Sequence, residues 1–429
     1  MFGVRLCLMR ISYRLNVPSV DSSTLSRTAI SMRRLFGTVL AVLVMASLPT
    51  AVGVTTGLGA GPARADTLVG TLDVATNPTD IAIDATGTFG YLAGCDPHTG
   101  IVAQVIRIDL ATFTIDDTLP LPTDGPCVRA VAVVDDSLLF TTDTRLYRVD
   151  AQTFGPNLDD SVAIRTLGVD IAVHGSHAYI THMTGDRVSK VDISGPALAF
   201  DFEFLSGGSW PMGIAIEPAG VYGYVVNAIS DSLAKIRLSD GVTVATLTTG
   251  NQSYGIKIDP SGAHAYVPAA IPETGQSFPW MVRVDLATFS VDDTIDLPFT
   301  WGFDVALTPD GAFAYVGESR SGNPGRIAKI GLGANMTLIE TISSNPGSHA
   351  LTTDPTGTFV YSADYNDHNQ TTVSKIAITA GPPTVTGLSV ANGPLAGGGT
   401  TVISGTNFTG VTGVSFGGTA ATLLSSSDD

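Results

Sequence analysis

Several acidic and imidazole side chains stand close enough in the sequence to share a ligand: Asp96 with His98, His182 with Asp186, and Asp364 with Asp367 and His368. Carboxylate oxygen and imidazole nitrogen together suit a hard or borderline cation. No DxDxDG calcium loop is present, so the spacing names no metal. The same residue types are equally at home as solvated loop positions. Asn227, Asp231, Glu273 and Glu318 lie in polar stretches of the same character. Trp280, two residues after Phe278, offers an aromatic face on which a sugar or a peptide could stack, or which could simply pack on its own neighbours. Cys95 and Cys127 are a candidate disulfide, an even pair once Cys7 near the N-terminus is set aside.

Catalytic signatures with fixed local spacing are absent. There is no CxxCH for covalent haem, no GxSxG elbow, no phosphate-cradling glycine loop and no HExxH. Catalysis in such a chain would rest on residues scattered over loops, and no cofactor is expected.

Charge narrows the partners. The chain has 22 basic and 39 acidic residues in 429, a net of −17. Nucleic acid and anionic membrane surfaces both call for a basic patch, so neither is an expected partner. Seven arginines and one acid, Asp21, fall within residues 1–65, leaving 15 basic and 38 acidic residues, a net of −23, in the rest. Arg33 and Arg34 precede a 14-residue apolar run, Leu35 to Leu48, which is short for a bilayer span. Ala63-Arg64-Ala65 then offers a small-x-small cleavage site before Asp66. Residues 1–65 therefore read as a secretory signal segment, with Met32 a more ordinary start than Met1, and the mature chain carries no membrane span. The expected location is secreted or cell-surface.

The elements that must position the candidate residues come from a repeat. Trp210 to Asn227 (WPMGIAIEPAGVYGYVVN) reads as strand, tight turn and strand, and six relatives lie along the chain. They begin near Pro78, Arg129, Gly168, Tyr254, Gly302 and Ser348. An aromatic residue marks each copy: Tyr91, Phe140, Tyr179, Tyr224, Tyr266, Tyr315 and Tyr361, at a mean interval of 45 residues. That period is one four-stranded blade of a β-propeller. Turns such as Asp259-Pro260-Ser261-Gly262 support strand pairing, since proline presets one corner and glycine supplies a positive φ at the other. Third strands open on Arg or Lys, at 107, 148, 190, 235, 283, 329 and 375, read as solvated or paired surface charges. The last copy lacks a fourth strand and the chain after residue 66 begins with a lone one, Thr67 to Val74. These two facts predict an all-β, seven-bladed β-propeller over residues 66–380, closed by its N-terminal strand.

Hairpins ending in Tyr224-Val225-Val226-Asn227, with DPSG-like turns and following KIRLSDG or RVDLATF strands, resemble the bacterial YVTN-type propeller repeats. Most other copies depart from that motif at its last two positions. The stretch Pro383 to Thr422, with GPLAGGGTTVISGTNF and FGGTAAT, resembles the start of an IPT/TIG domain. Residues 381–429 are thus expected to be an incomplete IPT/TIG unit, a partial immunoglobulin-like β-sandwich, since the fold needs about 100 residues for both sheets.

The loops after each second strand vary most, and they gather with the inter-blade connections on one face. All the candidate residues named above are assigned to that face. The first expectation is a binding or recognition protein for an extracellular protein or carbohydrate. The alternative is an extracytoplasmic enzyme of lactonase or lyase type using a metal held by Asp and His.

Overall fold

The computed structural model describes residues 7–12, 65–95, 103–121, 127–155, 158, 160–250, 252–269, 280–299, 301–319, 325–365, 371–379, 384–389, 400–406, 414–416 and 419–427. It divides into two compact units, one of Asp66–Ile378 and one of residues 1–65 with 379–429. Among the described residues every regular element is a strand.

The larger unit consists of seven four-stranded antiparallel sheets. Blades 1 to 6 run over residues 77–121, 131–163, 168–205, 211–248, 257–296 and 302–344. Blade 7 takes Ser348–Thr353, Phe359–Asp364 and Thr372–Ala377 from the end of the unit and Thr67–Asp73 from its start, in register Thr67 to Ala377 and Asp73 to Thr372. The expected closure is therefore present. It removes the two long open edges that a linear array would expose.

Alternation explains where the core lies. Fourth strands such as Val242–Thr248 alternate exposed and half-buried residues, as an outer strand with one solvated face should. Second strands are buried nearly throughout, for example Tyr222–Asn227, so apolar side chains on both their faces pack between neighbouring blades. Tyr91, Tyr224, Tyr315 and Tyr361 are among the largest fully buried side chains. Blade 2 departs from the expected pattern by one residue. Leu139, not Phe140, pairs with the basic residue Arg148, whereas Tyr224 pairs with Lys235 and Tyr361 with Lys375. Phe140 instead stacks on its cross-strand neighbour Tyr147 at 5.2 Å.

The expected pairing of the third-strand basic residues is present, since Arg107, Arg148, Lys190 and Arg283 face Asp116, Asp160, Asp201 and Asp292 of their own blades. Five of the seven also reach the next blade and are not merely solvated. Arg107 donates to the carbonyls of Ala151 and Gln152, Arg148 to Ile193 and Gly195, Lys235 to Leu286, Arg283 to Gly333 and Ala334, and Lys375 to Leu110. Each acceptor lies at the turn between third and fourth strands of the next blade, or of blade 1 in the case of Lys375. The stems lie over aromatic rings, with Lys235 Nζ 4.4 Å from the Tyr222 centroid and Lys375 Nζ 4.3 Å from that of Phe359. The correction has a physical cause: a long side chain on the middle of a blade is the right length to satisfy carbonyls that a tight turn leaves without partners. Arg283→Met should cost about 1 kcal/mol, because it removes the hydrogen bonds to two turn carbonyls and the ion pair with Asp292, all on solvent-exposed residues that water can serve in its place. Urea unfolding of the variant against wild type measures it.

Turns between first and second strands, at the same end of each blade, link blades in a second way. Gly87, Gly262, Gly311 and Gly357 have φ between 66° and 74° as the turn requires, and each lies against a proline of the preceding turn around the ring: Pro355, Pro218, Pro260 and Pro309. The proline thus both presets its own turn and packs under the next one.

The smaller unit forms one five-stranded sheet in the order Thr384–Leu388, Thr400–Thr406, Cys7–Ser12, Thr419–Ser427 and Val414–Phe416. Its middle strand comes from the segment read as a signal, an arrangement not foreseen from the sequence.

Candidate functional site

First strands of successive blades meet around a central channel. At the end where second strands finish and inter-blade connections cross, the channel opens into a cavity of 370 Å³. One residue from each blade stands at its rim: Thr79, Arg129, Val169, Met212, Tyr254, Phe303 and His349. Three of them make a continuous aromatic arc over blades 5 to 7. Tyr254 stacks on Phe303 at 4.4 Å with planes 15° apart, and the His349 ring lies 4.3 Å beyond. Tyr365, just past the second strand of blade 7, extends the arc by standing edge-on to His349 at 6.0 Å.

The next residue inward is Asp80 in blade 1, Asp170 in blade 3 and Asp304 in blade 6, with Gly213, Gly255 and Ala350 in three other blades. Each carboxylate accepts a hydrogen bond from the first strand of the following blade: Asp80 from Val131 N at 2.9 Å, Asp170 from Ile214 N at 2.7 Å and Asp304 from Leu351 N at 2.9 Å. The bulge that opens blades 1, 3 and 6 turns these side chains toward the neighbour. Burial, reinforced by the charge of Asp170, pushes the Asp80 carboxyl up to about 7. Burial raises Asp170 as well. Lys257 lines the same cavity, two positions past Gly255. Burial disfavours its ammonium, but Asp304, Asp170 and Asp80 outweigh that and hold its pKa above the usual lysine value. His349 is kept neutral by burial and donates its Nδ1 proton to the Thr79 carbonyl at 3.1 Å, which joins blade 7 to blade 1.

Two glycines make this crowding feasible. A Cβ on Gly255 would strike Asp304 Oδ1, and one on Gly213 would sit 2.5 Å from the Tyr254 carbonyl. Gly255→Ala is expected to cost about 1–3 kcal/mol by overpacking and to displace the Asp304 carboxylate from Leu351, read as loss of slow amide exchange at Leu351.

The residues singled out from the sequence fall mostly elsewhere. His182, Asn227, Glu318 and Asp364 end the second strands of blades 3, 4, 6 and 7 and are buried rather than presented on the loop face. Each is occupied inside its blade. His182 Nε2 pairs with Ser189 Oγ at 2.8 Å, Asn227 donates to the Ser206 carbonyl, Glu318 takes a two-pronged contact from Arg326, and Asp364 accepts from Ser362 and Ser374. Burial, and next the Arg165 charge, lowers His182 to about 4, so the ring is neutral near pH 7. Asp186 accepts from Trp210 N and Asp231 from Gln252 N, so both tie a turn to the connection into the next blade. Trp280 donates its indole N–H to the Thr249 carbonyl and covers Gly250, packing on protein. Asp96, His98, Glu273, Asp367 and His368, with Phe278, lie outside the described residues. Among the described residues no three His, Cys, Asp or Glu side chains are grouped to hold a metal. Cys95 and Cys127 are joined by a disulfide across a 32-residue separation, at the cavity wall.

Burial drives the Asp364 carboxyl up to about 7 against the hydroxyls that favour its charge. The sign follows: the folded state holds a proton that the unfolded chain releases near pH 4. The contribution is thus favourable below pH 4 and is lost as pH rises through about 7. Asp364→Asn should therefore gain stability relative to wild type on going from pH 4.5 to pH 8, measured by urea midpoints at both.

The channel-mouth residues escaped the sequence reading, though a signal was present. Asp precedes the first branched residue in TDIAI, VDIAV and FDVAL, a carboxylate in a strand otherwise read as core.

Comparison with known proteins agrees with both folds. Residues 383–429 match the IPT/TIG domain model. Among curated proteins none matches the sequence. The Kuenenia stuttgartiensis hydrazine synthase structure superposes with a TM-score of 0.61 at 15% identity, covering 72% of this chain and 98% of that one. The β-propeller domain of Cps50 (Swd1) from "Myceliophteria thermophila" gives 0.58 at 12% identity, over 73% and 100%. A mitotic checkpoint complex structure gives 0.61 at 9% identity, over 85% and 100%. At these identities the likeness is one of fold: the chain is a seven-bladed β-propeller followed by a segment similar to an IPT/TIG domain.

Proposed function

We propose that this is a secreted or cell-surface recognition protein of the YVTN propeller type, which binds an extracellular protein or carbohydrate at the channel mouth. The observation that carries the reading is the aromatic arc of Tyr254, Phe303, His349 and Tyr365 around a 370 Å³ cavity. Concave sites with apolar walls and a few fixed polar groups are where ligands bind, and planar rings are the side chains on which sugars and peptide side chains stack. The Cys95–Cys127 disulfide supports an oxidising compartment, as does the leader-like composition of residues 1–65. The enzyme reading gains no support, since His182 and Asp364 are each engaged within separate blades.

A glycan and extracellular-protein array probed with the full chain tests the proposal. Val169→Trp fills the cavity from a rim position that makes no side-chain hydrogen bond. The reading expects a wild-type hit that this variant loses. A hit retained by Val169→Trp would place binding elsewhere.

A further inference from the structure

Where blade 6 meets blade 7, the ring lacks the turn that five other third-strand basic residues use. Blade 7 takes its third strand from one end of the unit and its fourth from the other, so no turn joins Ala377 to Thr67. Asp66 occupies that place. Its carboxylate accepts from Lys329 Nζ at 3.0 Å and from Tyr315 Oη at 2.6 Å, with its side chain and that of Lys329 almost wholly buried. Its main-chain nitrogen donates to Glu340 Oε1 at 3.1 Å. Ala65, one residue earlier, is exposed. The chain thus passes from solvent into the ring closure at the Ala65–Asp66 bond, the bond that Ala63-Arg64-Ala65 marks for cleavage.

We propose that the Ala65–Asp66 bond is a processing site and that the α-ammonium released there is a structural group of the ring closure, paired with Glu340. A signal endopeptidase of the exporting cell adds water across the amide. The C–N bond breaks, Ala65 leaves as a carboxylate, and Asp66 keeps an amine that takes up a proton. At neutral pH that group is cationic, so the Glu340 carboxylate gains an opposite charge at hydrogen-bond distance in place of a neutral amide. Glu340 then faces two cations, the ammonium and Lys329 Nζ at 3.8 Å. Cleavage also separates Cys7–Ser12 from the chain, and the facing edges of Thr400–Thr406 and Thr419–Ser427 lose their shared partner. The inference rests on the export part of the proposed function and stands apart from its ligand reading.

Full-length chain expressed in a secreting bacterial host gives the test. Mass spectrometry of the exported protein is expected to find Asp66 as the first residue; any other N-terminus overturns the proposal. Glu340→Gln is then compared in the processed chain and in an Ala63→Leu/Ala65→Leu chain shown by mass to keep residues before Asp66. The thermal midpoint should fall by about 2 °C more in the processed chain. Equal shifts in the two would show that the ammonium plays no part in closure.

Discussion

Asp66→Ala is expected to lower the unfolding free energy by about 3 kcal/mol, because it takes the nearer carboxylate from the buried Lys329 ammonium, leaving Glu340 at 3.8 Å, and removes the acceptor of the Tyr315 hydroxyl. The loss is large for its position at the edge of the unit, since it falls at the one seam where no turn joins third and fourth strands. Breaking a buried pair by removing one partner costs more than removing both. Asp66→Ala with Lys329→Met should therefore recover most of the stability, the methionine keeping the packing against Phe313. Urea unfolding of the two variants decides it. A single variant within 1 kcal/mol of wild type would mean that closure rests on the Thr67–Asp73 ladder alone.

Phe303→Ala is expected to weaken ligand binding at the channel mouth by about 30-fold or more, corresponding to a hot-spot loss of at least about 2 kcal/mol. Phe303 is the centre of the arc, with Tyr254 stacked on one side and His349 on the other, so its removal opens the wall as well as deleting a face. Val221→Ala provides the control. Val221 is exposed in the turn between first and second strands of blade 4, at the other end of the channel, and its loss should leave affinity unchanged. Titration of each variant with the array ligand, after checking that thermal unfolding remains cooperative, gives the comparison.

These expectations differ in how far the sequence foretold them. The blade count was legible because a propeller repeats its physics: a buried aromatic and the same alternation recur near every 45 residues, joined in blades 4 to 7 by the same Pro-Gly turn, and local pattern and global fold agree. Strand arithmetic even placed Thr67–Asp73 in blade 7. The single slip in blade 2, where Phe140 sits one place beyond Leu139, arose because an aromatic was used as the marker rather than the pairing with Arg148.

The site was far less legible. Candidates were sought after the aromatic markers, yet His182, Asn227, Glu318 and Asp364 are the last residues of their strands and turn inward to bond within the blade. The channel mouth instead draws one residue from each of seven blades, so its members are separated by about 40–50 positions in sequence and share no local spacing. Only the packing of consecutive blades brings Tyr254, Phe303 and His349 into contact. The inter-blade bonds of the third-strand basic residues were missed for the same reason: their acceptors lie in another blade, 51 residues on for Lys235, 50 for Arg283 and 265 back for Lys375.

Amide hydrogen exchange of the full chain with and without a saturating array ligand tests the central claim most directly. Binding at the channel mouth predicts added protection at the starts of first strands, around residues 254–257, 302–305 and 348–351, with the turns at 84–88 and 217–221 unchanged. Protection confined to those turns, or to the outer fourth strands, would contradict the assignment of the ligand site to the channel mouth.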